Sequence, residues 1–507
     1  MTDAPPPPAA AVTRDEVARG AGLAGIARMG ALIEAVAQPL YTWLFGLATY
    51  GIYVVLWGAV NLLANVIDLS MTSALQRVVP TEEAPERQHG AVKFALLVSV
   101  LPATLAAALI AFFAADIAPV FSAAPDDAAQ LPRAIAIFAW ALPLWTFVEV
   151  ATSAARAKRA FGPEIRLRIF WEQVARILFA LGFFVAGFGG LGLMIAHLCS
   201  LALTAALCVR LLGRYYDLRL LVRAPIPRAL AGNVLVSGLA LLPSNLSRRL
   251  LIDAPPVILN LMLPGTRGAS AAGLFEIARK ISTIPHIVRQ AFQYVLGPLS
   301  SAQARADRAM IAPLYSFASR VSTALVVPLG GLLIFAGADI LSIYRPEVRE
   351  ALPLLWILVA ARVFEAIVGP AATIVEMTGH RLLPLLNSVL GVALWAVLAI
   401  LLTPEREALG MAIAVAAATL VSAYAATIEL RISDRLSPFD RKLFQGLGLA
   451  ALGFAVMALA EYLLDGPARF AAVLAIWAAT SWLALRYGLT REDRLALGGL
   501  SRKLRLV

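Results

Sequence analysis

Long apolar runs follow one another from about residue 21 to residue 488, interrupted by short clusters of charge, glycine and proline. A helix of about 20 apolar residues is long enough to cross the hydrocarbon core of a bilayer. Charges and turn residues cut the chain into fourteen such segments, at 21–46, 50–76, 92–115, 131–155, 167–188, 190–211, 231–262, 271–299, 311–338, 351–377, 382–402, 408–430, 443–463 and 468–487. The expected fold is an all-α polytopic membrane protein with about fourteen transmembrane helices.

Two segments carry polar stripes. In TYGIYVVLWGAVNLLANVIDLSMTSALQRVVP (49–80), Asn61, Asn65, Asp68, Thr72 and Gln76 recur at helical spacing. At about 100° per residue they fall within about 80° of one another. The eighth segment holds Glu276, Arg279, Thr283, His286, Gln290 and Gln293 in a similar arc. The two segments open alike, YGIY at 50–53 and AGLF at 272–275, and end near Pro80 and Pro298. A second match pairs FVEVATSAARAKRAFG (147–162) with FEAIVGPAATIVEMTGH (364–380) and makes Glu149 and Glu365 equivalent. An offset of six segments returns the chain to the same side, so the halves read as parallel repeats, with the substrate site at their interface. The stripes are expected to face each other across a central cavity.

The predicted organisation is a disordered or amphipathic N-terminus (1–20), a six-helix bundle (21–212), a basic linker (213–230) and a second six-helix bundle (231–432). Two extra transmembrane helices (443–487) and a basic tail (488–507) follow. The two bundles should be pseudo-symmetric about the cavity.

Composition agrees with a membrane protein. The chain of 507 residues is 60% hydrophobic and 15% charged, with a mean hydropathy of +0.79. A soluble chain of this length would carry far more charge. The net charge of +11 fits cytoplasmic loops rich in Lys and Arg, and no basic cluster is interleaved with aromatics as a nucleic-acid groove requires. Most of the 43 Lys and Arg fall on one set of alternate loops, which places both termini in the cytoplasm. Loops on the other side are short and leave no room for an external catalytic domain. The start MTDAPPPPAAAVTRDEVARG lacks the pattern of a cleaved signal. Cys199 and Cys208, nine positions apart on one helix, read as small buried hydrophobes, and four scattered histidines make no metal site. No cofactor is expected.

Ionisable residues inside the segments carry the chemistry. Each costs about 2.5–3.5 kcal/mol at the centre of a lipid-facing helix. Together they would exceed a typical stability of about 5–15 kcal/mol, so most must face protein or water. Arginine pairs two oxygens of a diphosphate at once and stays charged. Arg28, Arg248, Arg249, Arg279 and Lys280, with the polar Asn61, Asn65 and Gln290, are the candidate substrate-binding residues. Local pairing competes with that role for Arg249 with Asp253 and for Lys280 with Glu276. The titratable candidates for ion coupling are Asp68, Glu34, Glu276, Glu149, Glu365 and His286, with Asp68 foremost. Glu172 and Arg176 read as a structural ion pair, His197 as a packing residue, and Pro255-Pro256 as a break in the seventh segment.

FGLATYGIYVVLWGAVNLLANVIDLSMTSALQRVVP (45–80) resembles the start of bacterial polysaccharide-biosynthesis flippases of the multidrug/oligosaccharidyl-lipid/polysaccharide exporter superfamily. AAGLFEIARKIS (271–282) is similar to the opening of their second half, and ARAKRAFGPEIRLRI (155–169) to their loop after the fourth span. Met71 and Thr72 depart from the Gly-Leu-like pair of that pattern. The resemblance implies a V-shaped cavity between two bundles. It also implies a lipid-diphosphate-linked oligosaccharide moved from the cytoplasmic to the periplasmic leaflet of the inner membrane by alternating access, coupled to H+ or Na+. Membrane lipids and the polysaccharide polymerase or export machinery are the other partners it implies. The alternatives are an exporter of the same fold for a peptidoglycan lipid precursor or a drug, and a membrane glycosyltransferase or polymerase. The last is disfavoured by the short outer loops. The reading is therefore a transporter and not an enzyme.

Overall fold

The structure is a computed structural model and describes residues 30–158, 165–303, 311–377 and 383–506. Those residues are helical throughout, without strands. Nine helices among them are long and apolar enough to cross a membrane. The other expected segments are shorter, broken, more polar or fused. The first, described from α1 (Gly30–Phe45), is one of the short ones. The fifth starts as a π-helical turn, Ile165–Trp171, before α7 (Glu172–Val185). The eighth, α11 (Gly265–Gln303), is long but polar. The tenth splits into α13 (Leu352–Ile367) and α14 (Ala371–Met377) at Gly369, whose φ of +64° favours glycine. The eleventh and twelfth run together as α15 (Leu383–Ser433), bent back at Glu407.

The first half comprises α2 (Leu47–Ile67), α3 (Met71–Val78), α4 (Pro85–Phe112), α5 (Leu131–Phe138), α6 (Ala141–Ala157), α7 and α8 (Gly190–Tyr215). On α4, Leu97, Leu101, Leu105, Leu109 and Phe112 form an exposed apolar row at helical spacing, as a lipid-facing surface requires. A short helix, α9 (Leu218–Arg223), joins the halves. It is fastened to α4: the Asp217 amide donates to His89 Nε2 at 3.0 Å, and Lys93 Nζ donates to the carbonyls of Val222 and Ala224 at 2.7 and 3.1 Å. We call this side of the protein the linker face and the opposite side the distal face.

The second half begins with α10 (Arg228–Met262) and α11, followed by α12 (Ala312–Phe335) and α13 to α15. The expected break at Pro255-Pro256 does not occur. α10 runs unbroken through Pro243, Pro255 and Pro256. Instead the backbone there lies against bare Gly58 of α2, where an added Cβ would stand 2.8 Å from the Asp253 carbonyl oxygen. Backbone distorted by proline is tolerated when buried against protein.

α16 (Arg441–Leu463) and α17 (Gly466–Tyr487) pack together and against α12. The final residues then form α18 (Arg491–Ala496) and α19 (Gly499–Lys503). A capping box between Thr490 and Asp493 starts α18. Fully buried Asp493 accepts from Arg320 of α12 at 2.7 and 2.9 Å, and Arg320 also pairs with Asp440. Leu506 inserts into an apolar cluster with Leu314, Phe317 and Leu485. The C-terminal segment is thus strapped onto the second half.

Candidate functional site

The asymmetry between the two faces creates the site. On the distal face the halves are held together. Trp43 Nε1 donates to the Ile343 carbonyl at 2.8 Å. Asn260 of α10 grips the backbone of Ser122, accepting its N–H at 3.0 Å and donating to its carbonyl at 2.6 Å. Between these contacts α2 and α11 touch at glycines. A Cβ added to Gly51 would meet the Ala269 carbonyl oxygen at 1.8 Å and the Gly273 nitrogen at 3.2 Å. Gly51 and Gly273 are the equivalent glycines of YGIY and AGLF, so the repeats meet at matching positions. Small residues let helix backbones approach this closely.

That contact overturns the expectation that the two polar stripes face each other across water: α2 and α11 pack directly. The cavity, about 570 Å³, opens further toward the linker face. Asn65 on its wall is fourteen residues from Gly51, about 21 Å of helix. Its walls come from α2 and α3 (Asn65, Asp68, Ser70, Thr72, Ser73), α6 (Glu149), α10 (Asn245, Ser247 to Arg249), α13 (Arg362, Glu365), α14 (Thr373) and α15 (Asn387, Ser388, Thr419, Ser422).

Six of the sequence-derived candidates meet there: Asn65, Asp68, Glu149, Arg248, Arg249 and Glu365. Asn61, Glu276, Arg279 and Lys280 are not among the lining residues. Asn61 is buried and donates back to the Trp57 carbonyl at 3.2 Å. Glu276 holds Arg279 at 2.6 Å and lies 3.9 Å from Lys280, so this stripe neutralises itself along its own helix. Arg28 lies outside the described residues, as do the side chains of Glu34, His286 and Gln290.

The first stripe is also not one continuous face. α2 stops at Ile67, and Leu69 and Ser70 take positive φ before α3 begins. Asp68 stands in this break. Its Oδ1 accepts from Ser99 Oγ at 2.9 Å, and its Oδ2 from Thr72 Oγ1 at 3.1 Å and Thr72 N at 3.3 Å. The break also presents hydroxyls to α10: Asn245 Nδ2 lies 3.1 Å from both Ser70 Oγ and Ser73 Oγ. Asn245 Oδ1 in turn accepts from Arg248 at 2.6 Å and aims that guanidinium.

The lining cations differ in how far they are neutralised. Arg362 is held by Glu365 at 2.9 Å. Arg249 lies 3.7 Å from Asp253. Arg248 is exposed on the cavity and has no carboxylate within ion-pair distance among the described residues. Behind Glu149 sits a residue the sequence reading had counted with a loop: Arg168, on the π-helical turn, pairs with Glu149 at 2.7 Å and lies 4.5 Å over the Trp145 ring. π-helical turns inside helices are frequent at functional positions. The signal in the sequence was its place inside the expected fifth segment, which a loop assignment overrode. Arg362, Asn387 and Ser422 were missed as single polar residues in apolar runs.

Glu172 and Arg176 pair at 2.6 Å inside the first half. His197 packs beside them with Nδ1 3.0 Å from the Tyr53 hydroxyl and its ring 4.3 Å from that of Trp57.

A helical protein with a polar cavity between halves that meet at one face has the architecture of the MOP transporter superfamily. The chain superposes on a lipid II flippase MurJ in an inward closed conformation with a TM-score of 0.71 at 12% identity, covering 91% of this chain and 97% of that one. A Vibrio cholerae MATE transporter gives 0.62 at 13% identity, with 83% and 98% covered. A MOP superfamily transporter from Pyrococcus furiosus gives 0.61 at 12% identity, with 83% and 96% covered. At these identities the likeness is one of fold. Residues 43–344, more than half of the chain, match the family described as polysaccharide biosynthesis protein, and the chain belongs to that family. No curated protein sequence matches it.

Proposed function

We propose that this protein is a flippase that carries a polyprenyl-diphosphate-linked oligosaccharide from the cytoplasmic to the periplasmic leaflet of the inner membrane. The linker face is the cytoplasmic one, both termini lie on that side, and the two six-helix halves rock about the cavity. The diphosphate docks on Arg248 and Arg249 while the lipid tail stays in the bilayer. Transport is coupled to H+ or Na+, with Asp68, Glu149 and Glu365 as the titrating groups of the cavity.

The observation that carries this reading is Arg248, a cation aimed into an intramembrane cavity with no acid to neutralise it. A charge kept there unpaired is costly unless a ligand completes it. Membership of a polysaccharide biosynthesis family supports the class of cargo. A second reading, transport of a peptidoglycan lipid precursor, is favoured by the likeness to a lipid II flippase.

The test is to delete the gene and ask which lipid-linked intermediate accumulates, and on which leaflet. A polysaccharide repeat unit trapped in the cytoplasmic leaflet supports the first reading; a peptidoglycan precursor supports the second. Arg248→Ala should insert normally and fail to restore transport. Full complementation by Arg248→Ala would remove the docking role.

A further inference from the structure

The equivalent glutamates of the two halves share more than position. Glu149 and Glu365 both line the cavity, and each is engaged by an arginine. The arginines themselves are not equivalent. Arg362 comes from the same helix as its glutamate, three residues earlier, whereas Arg168 arrives from the π-helical turn before α7. The same local arrangement has thus been assembled twice from different parts of the chain, on opposite walls of one cavity.

Charge explains what such an arrangement can do. The lining acids Asp68, Glu149 and Glu365 are matched by Arg248, Arg249 and Arg362. A diphosphate diester brings two negative charges into this space. Buried charge without compensation is expensive, so a dianion entering a balanced cavity needs either more cation or less carboxylate. Arg168 and Arg362 are the cations already present but occupied. A guanidinium offers five N–H donors in a planar fork, and the face of Arg168 is backed by Trp145, which leaves its edges for oxygens.

We propose that Arg168 and Arg362 are reserve anion-binding residues, each released to the substrate phosphate when its glutamate takes up a proton. This rests on the flippase reading above. The step balances: one proton neutralises one carboxylate, the Arg–Glu pair opens, and the freed guanidinium hydrogen-bonds a phosphate oxygen. The incoming dianion drives the exchange, because it competes for the same donors and repels the neighbouring carboxylate. Glu149 is faced by Arg168 from the π-helical turn, Arg156 from its own helix, Arg249 from α10 and Asp68 from the end of α2. Glu365 is faced by Arg362 from its own helix, and shares the cavity wall with Arg248 of α10 and with Asn387 of α15, which is itself bonded to Glu429. In a carrier, loss of the two protons on the far side would return both arginines to their glutamates and expel the phosphate.

The test measures binding of farnesyl diphosphate to the full chain in phosphatidylcholine nanodiscs at pH 8. The wild type should take up about two protons per molecule bound, read with an indicator dye in weak buffer. Glu149→Gln and Glu365→Gln should each bind about tenfold tighter and each remove about one of those protons. Arg168→Gln and Arg362→Gln should each bind about tenfold more weakly. Binding should also change the indole fluorescence of Trp145, identified by its loss in Trp145→Phe, as Arg168 leaves the ring. Comparison at one pH cancels the titration of the probe itself. If both glutamine variants bind no tighter and take up as many protons as the wild type, the exchange is wrong, even where Arg248→Gln abolishes binding. If Arg248→Gln leaves binding untouched, the docking site of the flippase reading fails, and this proposal with it. Should a glutamate variant not be recovered folded, the arginine variants and the Trp145 signal decide the matter.

Discussion

The glycine contact between α2 and α11 makes a sharp prediction. In Gly51→Ala the new methyl would sit 1.8 Å from the Ala269 carbonyl oxygen and 2.7 Å from its carbon, where an ordinary contact starts at 3.4 Å. The obstacle is backbone, so no side chain can rotate away. Relief requires the distal ends of the two helices to part by about 1.6 Å. Overpacking of this kind costs about 1–3 kcal/mol. The cost falls only on the state in which the helices touch, so the equilibrium should move toward a distally open state by about five- to 150-fold. Gly273→Ala is milder, because its nearest obstacles are Leu47 atoms at 3.0 and 3.1 Å. Gly448→Ala, with nothing within 4 Å, is the control.

The assay is cysteine labelling. Ser247→Cys is introduced on the cavity wall in a chain with Cys199 and Cys208 replaced by alanine. A membrane-impermeant maleimide is then applied from the distal side of oriented vesicles. Labelling should rise in the order Gly448→Ala, Gly273→Ala, Gly51→Ala. Equal labelling in all three, with each protein inserted and folded, would refute the argument that this contact closes the cavity distally.

Two further predictions concern the ends of the second half and the joint between the halves. Arg320→Met strands the fully buried Asp493 and should destabilise the detergent-solubilised protein by about 3–5 kcal/mol. The apparent melting temperature reads this, and Arg320→Met/Asp493→Leu should recover most of it; an unchanged melting temperature in the single variant contradicts the strap. At the joint, the backbone amides of Arg219 and Leu220 hold the Asp217 carboxyl below the usual carboxylate range. A lowered folded-state value means its cap on α9 is complete at neutral pH and is lost as the pH falls through that value, below about pH 4. Amide exchange at Arg219 and Leu220 should therefore speed up in acid beyond its intrinsic pH trend, and Asp217→Ala should show the faster exchange at every pH.

The sequence made the helices and the repeat legible because both rest on long-range averages. Twenty apolar residues average out a few charges, and the pairing of Glu149 with Glu365 needs only a common offset of whole segments. The cavity depends instead on the rotation of each helix, which one residue can reset. Asn61 and Asp68 share a face on an ideal helix, yet Leu69 and Ser70 end that helix, and only the residues from Asn65 onward reach the cavity. The second stripe failed for an energetic reason. Glu276 lies three and four residues before Arg279 and Lys280, so the cheapest partner for each cation is on its own helix. The same rule separates the arginines that did reach the cavity. Arg249 has Asp253 and Arg362 has Glu365 at helical spacing, whereas no carboxylate of its own helix stands three or four residues from Arg248. A search for intramembrane arginines lacking a local acid would have selected Arg248 from the sequence, and would have set Arg279 aside. It would not have found the pairing of Arg168, because Glu149 lies nineteen residues earlier on another helix, and only the fold brings the two together.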